Sequence, residues 1–193
     1  ENDGYEVVVR AHQNLLLRGE PPGNRVTVAV EGNAKHLGHA HAVDVVGVER
    51  RLGERLEQSL LLVVEDELGK LLAYAPDNEL GTGGSDASVT AWRDALATAL
   101  REVPILIHDA TYTDNEIAAY AGWGHSSAEE ATRFAVACNA GALLLFHHHP
   151  DRSDDEIAQL VMHCRELAQS LSSPLRVDAA AEGLTLEIRL RES

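Results

Sequence analysis

Aromatic side chains are scarce in this chain: Trp, Tyr and Phe together make up 4% of its 193 residues. Leu, Val, Ile and Ala must therefore fill a core that a chain of this length is large enough to bury. Long apolar runs are missing as well. The longest, Leu60 to Val64, falls far short of the roughly 18 residues a membrane helix needs, so no membrane span is expected. Glu1-Asn2-Asp3-Gly4 carries neither a basic nor an apolar region, and no signal peptide is expected. Basic charge is in short supply, with 16 Lys and Arg against 31 Asp and Glu and a formal charge of −15. A polyphosphate backbone is bound by Lys and Arg that displace its counterions. No basic cluster stands out, so long nucleic acid is not the expected partner and the acidity reads as a solubility device. Cysteine is limited to Cys138 and Cys164, both at apolar-face positions of helical stretches, which points to buried reduced thiols and a cytoplasmic setting.

What is present is an alternation of element types. Tyr5 to Arg10 and Arg25 to Glu31 read as strands, separated by Gly19-Glu20-Pro21-Pro22-Gly23-Asn24 as a turn. Val45, Val48, Leu52 and Leu56 recur at helical spacing, predicting an amphipathic helix over Val43 to Gln58. Leu60 to Glu65 and Lys70 to Ala75 form a predicted hairpin. Val89, Trp92, Leu96, Ala99 and Leu100 mark a helix face, followed by a strand from Val103 to Ile107. Thr113 with Glu116, Ser126 with Glu129 and Ser153 with Glu156 are capping-box patterns. They open a short helix, a helix ending near Gly141, and a helix lined by Ile157, Leu160, Val161, Cys164, Leu167 and Leu171. Ala142 to Phe146 reads as a buried strand, with Leu175 to Val177 and Leu184 to Leu190 as closing strands. The pattern predicts a single α/β domain over residues 1–193, with a divergent segment 1–58 and a more regular part 59–193.

Ten histidines remain to be placed, three of them in a row. Polar groups collect where predicted strands run out into loops, the usual location of function in α/β folds. Asp77 follows the strand ending at Ala75, and His108-Asp109-Ala110-Thr111 follows the next strand. Gly124-His125-Ser126-Ser127 stands at a helix mouth, and His147-His148-His149-Pro150 follows the strand ending at Phe146. Imidazoles and carboxylates converging at strand ends are the ingredients of a Zn, Mn or Fe site. Singly, each has a plainer reading: a turn or cap for Asp77, loop hydrogen bonds for Asp109, a helix-end histidine for His125, a polar loop for the triplet.

Taken in order, these segments resemble the metallo-β-lactamase superfamily of metal-dependent hydrolases, in its ribonuclease Z and phosphodiesterase branch. Tyr74-Ala75-Pro76-Asp77 is similar to the segment carrying that family's metal-bridging Asp. His108-Asp109-Ala110-Thr111 is similar to its His-Glu-Ala-Thr box, Gly124-His125-Ser126-Ser127 to its Gly-His-Ser-Thr box, and Leu144-Leu145-Phe146-His147 to the strand before its terminal His. The resemblance spans roughly residues 59–190 and implies αββα layers, truncated or rearranged at the N-terminus. It also implies Asp77 and His147 as ligands of a divalent transition metal, zinc first, with Mn or Fe as alternatives. Asp109 and His125 would form a carboxylate–imidazole pair that protonates a leaving oxygen. His148 and His149, beside His147, are either supporting groups or solvent-facing.

The family's His-x-His-x-Asp-His motif is only half present. In His39-Ala40-His41-Ala42-Val43-Asp44 the two histidines fit, but Val43 and Asp44 replace Asp and His, and no histidine stands between His41 and His108. His39 and His41 are candidate ligands of a rearranged site. The function expected is a divergent metal-dependent hydrolase, a phosphodiesterase acting on a small phosphoester, in a homo-oligomer. The alternative is an inactive relative with a ligand-binding, regulatory or assembly role.

Overall fold

The structure is a computed structural model that describes residues 6–13, 24–31, 43–52, 55–66, 69–81, 87–181 and 184, with side chains at 63, 70–81, 89–181 and 184. The chain forms two compact units, one of Glu1–Ala40 with Ala180–Ser193 and one of His41–Ala179. In the first, β1 (Glu6–Gln13) and β2 (Asn24–Glu31) pair antiparallel, Gln13 opposite Asn24. The turn-rich residues between them and most of the last predicted strand, from Leu184 to Leu190, lie outside the described residues.

The second unit carries a six-stranded sheet in sequence order: β3 (Val43–Leu52), β4 (Arg55–Asp66), β5 (Gly69–Ala75), β6 (Ile105–Asp109), β7 (Ala142–Phe146) and β8 (Arg176–Ala179). The first three pair antiparallel and the last three continue parallel. This is the mixed α/β class expected. The helix expected over Val43 to Gln58 is absent, because β3 and β4 form a hairpin there with Leu52 opposite Arg55. Val43, Val45, Val46 and Val48 are β-branched, stiff at χ1, and better suited to a pleated surface than to a helix. Spacing alone favoured the wrong period.

The parallel strands are short and apolar, and the last four residues of both β6 and β7 are buried, as expected for strands covered by helices. The cover comes from α1 (Ala87–Ala99), α2 (Ala128–Ala137) and α3 (Asp154–Ser170). Helix α2 packs on β6 and β7, and α3 packs on α2 and β8. Leu72, Leu80, Leu100, Leu106, Leu143 and Leu145 are among the largest fully buried side chains, so aliphatic groups do fill most of this core. Cys138 and Cys164 are free and fully buried within it.

Two capping boxes close reciprocally. Ser153 caps α3 with Glu156, as the sequence suggests. The box opening α2 uses Ser127 and Glu130 rather than Ser126 and Glu129, because the Ser126 hydroxyl is committed to the loop after β5. Between β6 and α2 the expected short helix is one 3-10 turn, Ile117–Tyr120. Helix α2 ends at Ala137, before a left-handed Asn139 (φ 52°), rather than near Gly141.

Candidate metal centre

Three adjacent parallel strands deliver the polar groups from their C-terminal ends, where open α/β sheets place their sites. Asp77 lies two residues beyond β5, Asp109 is the last residue of β6, and His147 directly follows β7. His125 comes from the loop before α2. One ligand atom from each of Asp77, Asp109, His125 and His147 lies within 4.8 Å of all the others.

Asp109 is the hub. It is fully buried, and its Oδ1 accepts from the Thr111 amide at 3.1 Å and from the Ser126 amide at 3.0 Å. Its Oδ2 lies 2.8 Å from His125 Nδ1 and 3.3 Å from His147 Nδ1. Burial pushes its pKa up, but the hydrogen bonds from His125, His147 and Ser126 outweigh this and hold the carboxyl below its ordinary value. The bond to Asp109 raises the pKa of His147 more than burial lowers it, with the Asp109 and Asp77 charges adding to the rise. His147 adopts φ 59°, a left-handed conformation uncommon in residues with a side chain. Its carbonyl accepts from the Thr111 hydroxyl at 2.8 Å, which fixes the turn that presents the ring.

With both Nδ1 atoms turned towards one carboxylate, the Nε2 atoms are left to face elsewhere. His147 Nε2 stands 3.7 Å from Asp77 Oδ1. That is too long for a hydrogen bond. It is close to the separation, about 3.4 Å, of two ligand atoms each about 2.1 Å from one tetrahedral ion. Asp77 is the open side of the cluster, its side chain 62% exposed. Two carboxylates and two imidazoles, with a buried carboxylate orienting both rings, suit a divalent transition metal in donor chemistry and in outer-shell support.

The loop bearing His125 is stitched to the loop bearing Asp77. The Glu79 carboxylate, 7% exposed, accepts from the Gly122 and Gly124 amides at 2.9 and 3.1 Å. The Ser126 hydroxyl donates to Asn78 O at 2.6 Å and accepts from the Leu80 amide at 3.0 Å. Both glycines have positive φ, 83° and 88°, which aims two amides at one acceptor. Sequence reasoning missed Glu79 and Ser126. The Gly122-Trp123-Gly124 spacing was the usable signal, since a tight turn of that kind demands a nearby acceptor.

His108 is not part of the cluster. It is fully buried, its Nδ1 donates to Asp109 O at 2.8 Å, and its Nε2 has no hydrogen-bond partner among the described residues. Burial lowers its pKa, and its ring stands 5.7 Å from that of Phe134. His148 and His149 are half-buried and outside the cluster. The candidates His39 and His41 lie outside the described residues.

No family model matches the chain. It is 30% identical over 189 residues to a ribonuclease Z of Myxococcus xanthus, an alignment covering 98% of this chain and 56% of that protein. It is 33% identical over 107 residues to ribonuclease Z of Bradyrhizobium diazoefficiens, covering 53% of this chain and 34% of that one. Among solved structures, a metallo-β-lactamase fold protein of Bacillus subtilis covers 68% of the chain at 20% identity, TM-score 0.48, with 45% of that protein matched. Human tRNase Z, short form, covers 69% at 21% identity, TM-score 0.47, with 40% of that protein matched. The sequence relatives, all ribonucleases Z, support a place for the chain in the ribonuclease Z-like branch of the metallo-β-lactamase superfamily. It spans about half the length of the Myxococcus relative and about a third of the Bradyrhizobium one.

One expectation is overturned. A small phosphoester was expected in preference to long nucleic acid, whereas the relatives are ribonucleases. The charge argument fails because −15 is a sum over the whole chain, and a sum carries no information about the local field at a site built to hold a cation. Among the described residues, no helix is long and apolar enough to cross a membrane.

Proposed function

We propose that this chain carries part of the active centre of a metal-dependent phosphodiesterase acting on RNA. The observation that carries the reading is the convergence of Asp77, Asp109, His125 and His147 at the ends of three adjacent parallel strands. Asp77 and His147 are the proposed ligands of a divalent transition metal, zinc first, and His39 and His41 are kept as candidates to complete the set. When bound, such an ion polarises a phosphoryl oxygen and lowers the pKa of its water. His125 is the proposed proton donor to the leaving oxygen. Asp109 Oδ2, paired with His125 Nδ1, fixes the ring's tautomer and orientation. The two buried free thiols support a reducing, cytoplasmic setting.

The test pairs metal analysis of the purified chain with hydrolysis of a single-stranded oligoribonucleotide. At least one bound transition metal is expected, lost with Asp77→Ala, together with metal-dependent cleavage that His125→Ala slows by about a hundredfold or more. A metal-free chain indifferent to Asp77→Ala would refute the reading. One observation favours a second reading, an inactive relative: Val43 and Asp44 stand where the family's motif has Asp and His. Metal bound stoichiometrically without cleavage of RNA would select it.

A further inference from the structure

A cleft of about 270 Å³ opens beside the cluster, lined by Tyr112, Glu116, Tyr120, His149, Asp151, Arg152 and Glu156. The chain has only eight Trp, Tyr and Phe residues in all; two of them line this cleft and a third, Trp123, stands against one of these. The Tyr112 and Tyr120 rings stack at 4.3 Å with planes 5° apart, and Trp123 stands edge-on to Tyr120 at 5.4 Å. The His149 ring closes the other side, 6.1 Å from Tyr112. Tyr112 is also 6.0 Å from His125, so the cleft lies one ring away from the proposed proton donor.

The described charges lining this cleft, Glu116, Asp151 and Glu156 against Arg152, disfavour a phosphate. The Nη2 of Arg152 is already engaged by Glu116 at 2.9 Å and Thr111 O at 3.3 Å. Glu116 also accepts from Thr113, and Glu156 accepts from Ser153 as a cap. That leaves Asp151 as the least committed acceptor, its side chain 93% exposed and its Oδ2 3.9 Å from His149 Nδ1. Tyr112 is buried against Tyr120, so the half-buried Tyr120 and His149 rings are the open aromatic walls. With a carboxylate at the rim they suit a base with an exocyclic amine, stacked on a ring and donating to the acid.

We propose that this cleft is a nucleobase subsite, taking the base of a nucleotide next to the cleaved linkage and favouring bases that carry an exocyclic amine. The assignment rests on the RNA reading above only for the position of that nucleotide, and the cleft is tested without catalysis. Calorimetric titration of the full chain with CMP, UMP and ribose 5-phosphate separates base from phosphate. CMP is expected to bind more tightly than UMP, and both more tightly than ribose 5-phosphate. Tyr120→Ala should weaken CMP by about tenfold, and Asp151→Asn, an exposed change that leaves folding intact, should abolish the preference for CMP over UMP. Ribose 5-phosphate binding as well as CMP, or UMP as well as CMP in the unaltered chain, would overturn the proposal. CMP binding of the expected pattern in a chain that cleaves no RNA would leave the subsite standing and remove the phosphodiesterase reading instead.

Discussion

Asp109→Asn changes no shape and one charge, which makes it the sharpest probe of the cluster. The wild-type carboxylate is fully buried and receives donors from Thr111, Ser126, His125 and His147. An amide keeps one oxygen to accept from the Thr111 and Ser126 groups, but turns an NH2 towards the two imidazoles. Both Nδ1 atoms then face a donor. A hydrogen bond to a buried charge contributes about 1.5–3 kcal/mol, and breaking one partner out of a buried ionic pair costs about 3–5 kcal/mol. The rings relax partly, since His125 and His147 side chains are 21% and 29% exposed. A loss of about 3 kcal/mol is therefore expected.

For a chain of this size that corresponds to a melting temperature about 6–12 °C lower, measured by circular dichroism on the metal-free protein at neutral pH. The pH dependence carries a sign. The Asp109 pKa is lowered on folding, so its contribution is complete above the unfolded carboxylate value, about 3.9, and is lost as pH falls through the lowered folded value. The variant should therefore show a shallower acid limb than the wild type. An Asp109→Asn melt within about 2 °C of wild type would refute the claim that this carboxylate holds both rings.

Further perturbations read other parts of the fold. Gly141→Ala would place a Cβ 2.8 Å from the backbone oxygen of Pro104, where neither side can yield cheaply, so a loss of about 1–3 kcal/mol is expected by urea denaturation. Gly124→Ala meets nothing within 4 Å but keeps φ +88°, so it should cost about 1 kcal/mol through the backbone alone. Burial pushes the Cys138 and Cys164 thiols up to about 12 and about 11. Both should resist a thiolate-directed reagent at pH 8 until the chain is unfolded, and rapid labelling of the native protein would contradict their burial.

The second half of the fold was legible because two signals agreed there. Apolar runs such as Ala142 to Phe146 ended at polar clusters, and Ser153 with Glu156 marked a helix start that the structure keeps. Around Val43 the signals disagreed: a helical spacing overlay a β-branched composition, and the hairpin resulted. The residues Asp77, Asp109, His125 and His147 could be chosen from sequence because each follows a strand or opens a helix. That one carboxylate would sit under both imidazoles was not legible, because it depends on the register of β6 against β7, which pairs Asp109 with Phe146 and leaves His147 next beyond it. Glu79 was invisible for a similar reason, since its partners Gly122 and Gly124 are more than forty positions away.

This wiring bears on what the unit His41–Ala179 holds by its own bonds. Among the described residues, the bonds that shape the cluster run within the unit His41–Ala179, and most join loops that follow neighbouring strands. Asp109 orients the rings, Thr111 fixes the His147 turn, and Glu79 with Ser126 ties the loop of Asp77 to that of His125. Orientation is thus encoded locally, whereas the proposed ligand count turns on His39 and His41, which lie outside the described residues. The two properties separate experimentally: Asp109→Asn tests orientation through stability, while metal stoichiometry with His39→Ala and His41→Ala tests the ligand count. If the histidine substitutions lower stoichiometry without lowering the metal-free melting temperature, the local wiring and the ligand set are independent. If they lower both equally, the cluster does not stand on its own bonds.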